Sequence, residues 1–353
     1  MANEGKYENL VDKSIEFEAF PNELLLNILG FLEIVDLIKC SQTSKRVRVI
    51  CYEKSLWQKI NLSKKRVPTE FLQKVIDYGC KCLNLNEAKI IGTLKLENES
   101  QLNHLDLSGC RAENQSVFNE LLNSCHSLQT LSFTNAVNIS QLTVQNGKTL
   151  QILNFLCGVQ GLLCTLRLSS IVCILKNCSA LKELHFWNGV TMLDEMVNGN
   201  LCHLCGLDND ALDYLVNNIS TQIEKFSLGF DPFLGKEKIK TLVSRCTKLK
   251  ELRLMCYTNL RNDSITHIID HLKPTLEKLV IVDGGCGDNY FDFRKLYELK
   301  SMPKLKNFYF TYNTPDKNVI SELRYQLPDV SVNGHPPLAS EDWKKLKDVR
   351  ILH

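Results

Sequence analysis

The densest set of metal-ligating side chains in the chain is Cys202-His203-Leu204-Cys205. Thiolate and imidazole suit zinc, which takes four such ligands in a tetrahedron. The run supplies at most three, and no second Cys-x-x-Cys or His-x-x-x-His pair lies at zinc-site spacing. Cys80-Lys81-Cys82 is a weaker candidate of the same type. A thiol nucleophile would need a histidine beside it and a depressed pKa, and the eight histidines follow no recognisable signature. The glycine-rich run from Asp283 to Asp288 is acidic and lacks the Gly-Lys-Ser/Thr ending that lets a loop cradle phosphate. These residues read as buried thiols and a strand-to-helix loop. The expectation is no catalytic residue, no metal and no cofactor, with a metal-assisted or thiol enzyme using Cys202, His203 and Cys205 as the competing alternative.

What must position such residues is a repeat. Phrases of the form Leu-x-x-Leu-x-Leu begin at Leu102, Leu128, Leu150, Leu181, Ile223, Leu249, Leu276 and Leu305, with successive starts 26, 22, 31, 42, 26, 27 and 29 residues apart. A partial unit surrounds Leu83. Most spacings are near the leucine-rich-repeat range. The 42-residue gap must hold an insertion or a degenerate unit, with residues 187–208 as its place. Each phrase has the alternation of a short strand. Residues 114–125, 208–219, 235–246, 262–272 and 316–327 carry apolar side chains three and four apart, as a one-sided helix does. Strand then helix, repeated eight or nine times, predicts an α/β solenoid with parallel strands on the concave face and helices on the convex face. Cys80, Cys125, Cys178 and Cys246 each stand three residues before a phrase leucine. One register used four times predicts a slot for a small buried side chain.

A net charge of +2 argues against a nucleic-acid protein. No apolar run reaches the length of a membrane span. The first residues are acidic and lack an apolar signal core, so secretion is not expected. Fifteen cysteines fit a reducing compartment, cytoplasmic or nuclear or both. Residues 39–66 hold nine Lys/Arg against the single acid Glu53, either a solvated face or a means of steering toward an acidic partner.

The front segment, Phe20 to Leu62, packs many apolar side chains into some forty residues. Pro21 suits the start of a helix, Glu23 its first turn. Leu24, Leu25, Ile28, Phe31 and Leu32 form an apolar stripe. Asp36 and Ser44 are candidate N-caps for two further helices, the latter with Val47, Ile50 and Cys51 on one face. So small a unit cannot bury this surface alone, and the surplus needs a partner. The pattern Pro21-x-Glu23-Leu24-Leu25, Ile28, Phe31-Leu32, Asp36-Leu37, Cys40-Ser41, Ser44-Lys45-Arg46 and Leu56-Trp57 resembles an F-box. It departs from that family at Phe20, Thr43 and Val47. The repeats behind it resemble the cysteine-containing leucine-rich repeats that commonly follow an F-box.

The resemblance implies a short three-helix F-box over 18–62 and a linker with a capping helix over 63–79. It implies repeats over 80–332, a tail or cap over 333–353, and a disordered acidic segment over 1–17. It implies binding to the Skp adaptor and, through it, to cullin and RING subunits of a ubiquitin ligase. Pro21, Leu24, Leu25, Ile28, Phe31, Leu32, Leu37 and Trp57 would be the adaptor-facing or core-forming set. Alternation along the strands aims His104, Asp106, Ser108, Thr130, Ser132, Glu183, His185, Trp187, Lys225, Ser227, Glu251, Arg253, Met255, Lys278, Val280, Asn307 and Tyr309 at the concave side. That face is the expected site for an unidentified protein target. Trp187, Arg253, Met255 and Tyr309 are the residue types that dominate binding energy. The tail, with Trp343, Leu346 and Val349 at helical spacing, either covers the end of the solenoid or crosses the concave face. A scaffold that never delivers its target to ubiquitin, and a plain repeat binding module, are the other readings. No nucleic acid and no membrane are expected as partners.

Overall fold

The computed structural model describes residues 20–133, 147–157, 165–166, 168–188, 206–231, 233–256, 261–283, 291–311 and 317–332. The acidic N-terminal segment, the Cys202–Cys205 run, the glycine-rich loop after Asp283 and the tail from residue 333 lie outside the described residues.

Three short helices come first: α1 (Asn22–Leu29), α2 (Ile34–Cys40) and α3 (Lys45–Cys51), with a 3₁₀ turn at Lys54–Trp57. Pro21 stands just outside α1 in an extended conformation, and its carbonyl accepts the Leu25 N–H at 3.1 Å. Asp36 does not cap α2. That helix starts two residues earlier, at Ile34, whose side chain is buried, and Asp36 sits in its first turn bonded to Lys39 at 2.9 Å. Burying Ile34 decides where the helix begins, and a carboxylate in the first turn still meets the positive end of the helix dipole. Ser44 does cap α3, its hydroxyl accepting the Val47 N–H at 3.1 Å.

The rest of the chain is built on one eleven-stranded sheet. Its strands are Lys59–Asn61, Cys82–Asn84, His104–Asp106, Thr130–Phe133, Ile152–Cys157, Glu183–Asn188, Lys225–Asp231, Glu251–Cys256, Lys278–Asp283, Asn307–Thr311 and Ser331–Val332. Each runs parallel to the one before it. Every repeat phrase supplies a strand. Two more, at Lys59–Asn61 and Ser331–Val332, extend the array at either end, so the sheet begins inside the front module. The strands on either side of the 42-residue gap pair directly, Glu183 with Lys225, so the gap is an insertion and not a degenerate repeat.

Helices Ser116–Ser124, Asn209–Asn218, Lys236–Arg245, Asn262–Leu272 and Lys317–Gln326 fall where the periodicity predicts them, and Leu168–Asn177 is a further one. The phrase leucines and the helix stripes, such as Ile265, Ile268 and Leu272, share one core with Leu25, Leu29, Val47 and Trp57. Each side chain buried there is worth about 1.5–3 kcal/mol relative to leaving it in water.

The first three repeats end their strands by one device. Asn61, Asn84 and Asp106 accept the N–H two residues on, at Ser63, Asn86 and Ser108, at 3.0, 2.8 and 2.9 Å. The next residue, Lys64, Glu87 or Gly109, then turns into the left-handed region at φ 61°, 56° and 65°. Only the glycine does so without steric cost.

Candidate functional site

Helix α1 carries two neighbouring apolar stripes. Leu25 and Leu29 point inward, 0% and 2% exposed. Leu24 and Ile28 point outward, 47% and 43% exposed, and Phe31 just past the helix is 78% exposed. Val35 on α2 adds a further exposed apolar side chain. Water-facing side chains this large, set side by side, form a ridge of the kind that marks a partner surface.

The front-module residues singled out in the sequence therefore divide. Pro21, Leu24, Ile28 and Phe31 are open to solvent, and Leu32 is half-buried. Leu25, Leu37 and Trp57 are buried and take the core-forming role. Leu25 cannot touch a partner without the module opening, so a charge there would break the fold before it broke an interface. Trp57 donates its indole N–H to the Cys51 carbonyl at 2.9 Å. Its ring stacks on Tyr52 at 5.7 Å and on Tyr78 at 4.8 Å, so it joins α3 to the helix Thr69–Asp77 of the first repeat. The exposed Val35 and Val49 were missed; the only signal was that each lies off the buried stripe of its own helix.

The basic run is partly structural. Arg46 donates to the Phe20 carbonyl at 2.7 Å and to the Asn22 side chain, fastening α3 to the start of α1. Arg48 donates to the Ser41 carbonyl at 3.0 Å.

On the solenoid, strand register sets the concave residues in two rows. One row runs His104, Thr130, Ile152, Glu183, Lys225, Glu251, Lys278, Asn307. The other runs Asp106, Ser132, Asn154, His185, Ser227, Arg253, Val280, Tyr309. Of the positions expected on this face, these rows hold all but Ser108, which lies beyond its strand and is buried, and Trp187 and Met255. In the first row charges alternate and pair: Lys225 with Glu183 at 2.9 Å, Lys278 with Glu251 at 3.3 Å. Arg253 closes on Glu251 and is only 5% exposed, so much of its charge is spent inside the protein. Thr130 and His185 are likewise buried, whereas His104, Asp106, Lys225, Lys278 and Tyr309 are partly open. Trp187 and Met255 lie on strands, but their side chains fall outside the described residues.

Burial works against ionisation of Glu183, but hydrogen bonds from His185 and Lys225 outweigh it and hold the carboxyl at about 2. Burial, then the nearby Lys59, lowers the pKa of His104. His185 Nδ1 lies 2.8 Å from the Ser227 hydroxyl, and its Nε2 lies 3.7 Å from Glu183. That order of groups suggests a nucleophile, base and carboxylate. Ser227 has no exposed surface, however, so no acyl group can reach its oxygen; the set is a cross-strand tether.

The cysteine register is a structural slot. Cys80, Cys125, Cys178 and Cys246 are at most 3% exposed. Burial pushes the thiols of Cys80, Cys178 and Cys246 up to about 12 and raises that of Cys125. Cys125 donates to the Leu121 carbonyl at 2.9 Å and ends the helix Ser116–Ser124. Such thiols are poor nucleophiles and poor ligands. Among the described residues no group of His, Cys, Asp and Glu is arranged to hold a metal.

Residues 17–63 match the F-box-like family model. Among solved structures, the complex of Rad7 and Elc1 in yeast has a chain 15% identical, with a TM-score of 0.48, the match covering 80% of this chain and 71% of that one. The complex of TLR13 with ssRNA13 has a chain 13% identical, with a TM-score of 0.35, covering 78% of this chain and 46% of that one. Residues 17–63 are an F-box-like domain, and with the solenoid that begins on its last residues the chain has the architecture of an F-box/leucine-rich-repeat protein.

Proposed function

We propose that the chain is the substrate-recognition adaptor of a Skp–cullin–F-box ubiquitin ligase, active in the cytoplasm, the nucleus or both. The Skp adaptor seats on the ridge of Leu24, Ile28 and Phe31 and brings cullin and RING subunits with it. Leu25, Leu29, Leu37 and Trp57 hold that ridge in shape from behind. A protein target binds the concave face, where His104, Asp106, Lys225, Lys278 and Tyr309 are reachable. Glu183, His185 and Arg253 fix the chemistry of its floor. The chain itself performs no bond-making step. It holds the target near a charged conjugating enzyme, and the raised effective concentration promotes ubiquitination and proteasomal degradation.

The supporting observation is the divided helix α1, which keeps one apolar stripe in water while the adjacent one is buried. The experiment is co-purification of the full chain with a Skp–cullin pair, comparing wild type with Ile28→Asp. Ile28 is 43% exposed, so the variant should fold yet lose capture, because a carboxylate would be desolvated in an apolar contact. A folded wild-type chain that captures no adaptor refutes the reading. Target half-life after depletion then separates delivery to the proteasome from a scaffold that binds the adaptor and leaves its target alone.

A further inference from the structure

Aligned on the buried residue that closes each helix of the array, Cys125 in one and Leu327 in the last, one position recurs. Three residues earlier stand Leu122, Leu175, Val216, Val243 and Ile269, all buried or half-buried, and then Arg324. One residue further on, the exposed series is Asn123, Lys176, Asn217, Ser244 and Asp270, and then Tyr325, which is 80% exposed. The last helix, Lys317–Gln326, has a cation where the others have an aliphatic side chain, and a ring where the others are polar. One residue of helix is about 100° of turn. The apolar surface has rotated by that much, from the side that reaches the following strand to the outer side. Arg324 donates to the carbonyl of Val332, on the last strand of the sheet, at 3.2 Å. Ile320 is half-buried where its equivalents Ile239 and Ile265 have no exposed surface.

We propose that residues 333–353 lie across the outer side of this helix, with Trp343, Leu346 and Val349 over Tyr325, and not across the concave face. The segment starts next to Val332, which Arg324 already bonds. Earlier strands hand over to their helices through 232–235, 257–261 and 312–316, four or five residues each. Here residues 333–339 precede Ser340, and seven residues span up to about 24 Å when extended, twice the diameter of a helix. That is enough to pass over the last helix and set an apolar stripe on its outer side. The chemistry of the two faces decides between them. The open side chains of the concave floor include His104, Asp106, Lys225, Lys278 and Asn307, which match a tryptophan and two aliphatic side chains poorly. Packing those three on Tyr325 takes apolar surface out of water on both sides of the contact. A tail seated there leaves the concave face open for a target.

The test is photo-cross-linking in the full chain, with p-benzoylphenylalanine placed at Tyr325 or, separately, at Tyr309. Isotopically light and heavy protein are mixed in equal parts, so that links within one chain are told from links between copies. The probe at 325 should join peptides that hold Trp343 within one chain, at least about fivefold more often than the probe at 309. Hydrogen exchange gives a second readout, since Tyr325 is exposed and its variants should fold. Tyr325→Asp should speed exchange across residues 340–351 about tenfold, and Tyr325→Phe should leave it at the wild-type rate. Tail peptides joined from 309 as often as from 325, or more often, put the segment on the concave face and overturn the inference. Links from 325 to the other copy alone give the ring to a dimer and overturn it too. So does a tail that neither probe captures, or exchange in 340–351 that Tyr325→Asp leaves unchanged.

Discussion

Leu252 and Leu254, on the strand Glu251–Cys256, have no exposed surface, whereas Leu24 and Ile28, one position from the core-facing Leu25 and Leu29, keep nearly half of theirs in water. The two regions use the same side chains for different ends. In the solenoid the phrase leucines are covered by the neighbouring repeats, so stacking buries them. In the front module the described helices cover only one stripe of α1, Leu25 and Leu29, and the stripe of Leu24 and Ile28 is left over.

The sharpest way to break this comparison is to place the same charge on each stripe of α1. Leu25→Asp should cost about 4 kcal/mol or more and unfold the module, because the carboxylate has no partner in the core. Ile28→Asp should change stability by less than about 1 kcal/mol while losing adaptor capture. Denaturant melts of both variants decide it; equal losses of stability would mean the two stripes are not distinct.

Next in size is the joint between the regions. Trp57→Ala should lower the unfolding free energy by about 3–5 kcal/mol, removing a buried ring that stacks on Tyr52 and Tyr78. If module and solenoid share one core, the variant should still unfold in a single transition seen alike by fluorescence and circular dichroism. Two separated transitions in the wild type would show instead that the module is an independent unit.

The concave ladder gives a smaller effect with a defined pH window. Glu183 is held at about 2 when folded, below its ordinary 4.5, so its stabilisation is complete above 4.5 and lost as pH falls toward 2. The gap between wild type and Glu183→Gln should be at most about 3 kcal/mol at neutral pH and vanish by pH about 2. A gap that stays constant through this range would place the pairing with Lys225 and His185 in doubt. The smallest change is expected from Glu87→Gly. It relieves a left-handed φ of 56° and should stabilise the chain by about 1 kcal/mol, read as a raised melting temperature.

Most of the solenoid was legible because its signal is local and repeated. Leucines at fixed offsets mark strands, and runs such as Ile265, Ile268, Ile269 and Leu272 mark the helices behind them. The two outer strands were not legible, because Lys59–Asn61 and Ser331–Val332 are too short to show a period and exist only by pairing with a neighbour. On α1 the stripe was legible but its division was not: Leu24, Leu25, Ile28 and Leu29 are all apolar, and only the packing of α3 tells which pair faces in. The concave face was legible as alternation. That His185 bonds Ser227 across the insertion, and that Arg253 is taken up by Glu251, depends on cross-strand register, which no local pattern encodes.

The strand Lys59–Asn61 belongs to the helical module by sequence and to the sheet by pairing, with Ile60 buried at 4% exposure between its two solvent-facing neighbours. Inserting one residue ahead of it would throw Ile60 outward and Lys59 or Asn61 inward, at the cost of the core on both sides. Such a chain has no slack at its root. On the proposed reading it would act as a cantilever rather than a tether, presenting a target on the free arm at one bearing and one distance from the seated adaptor. Reach can be retuned only by adding or removing whole rungs of the arm.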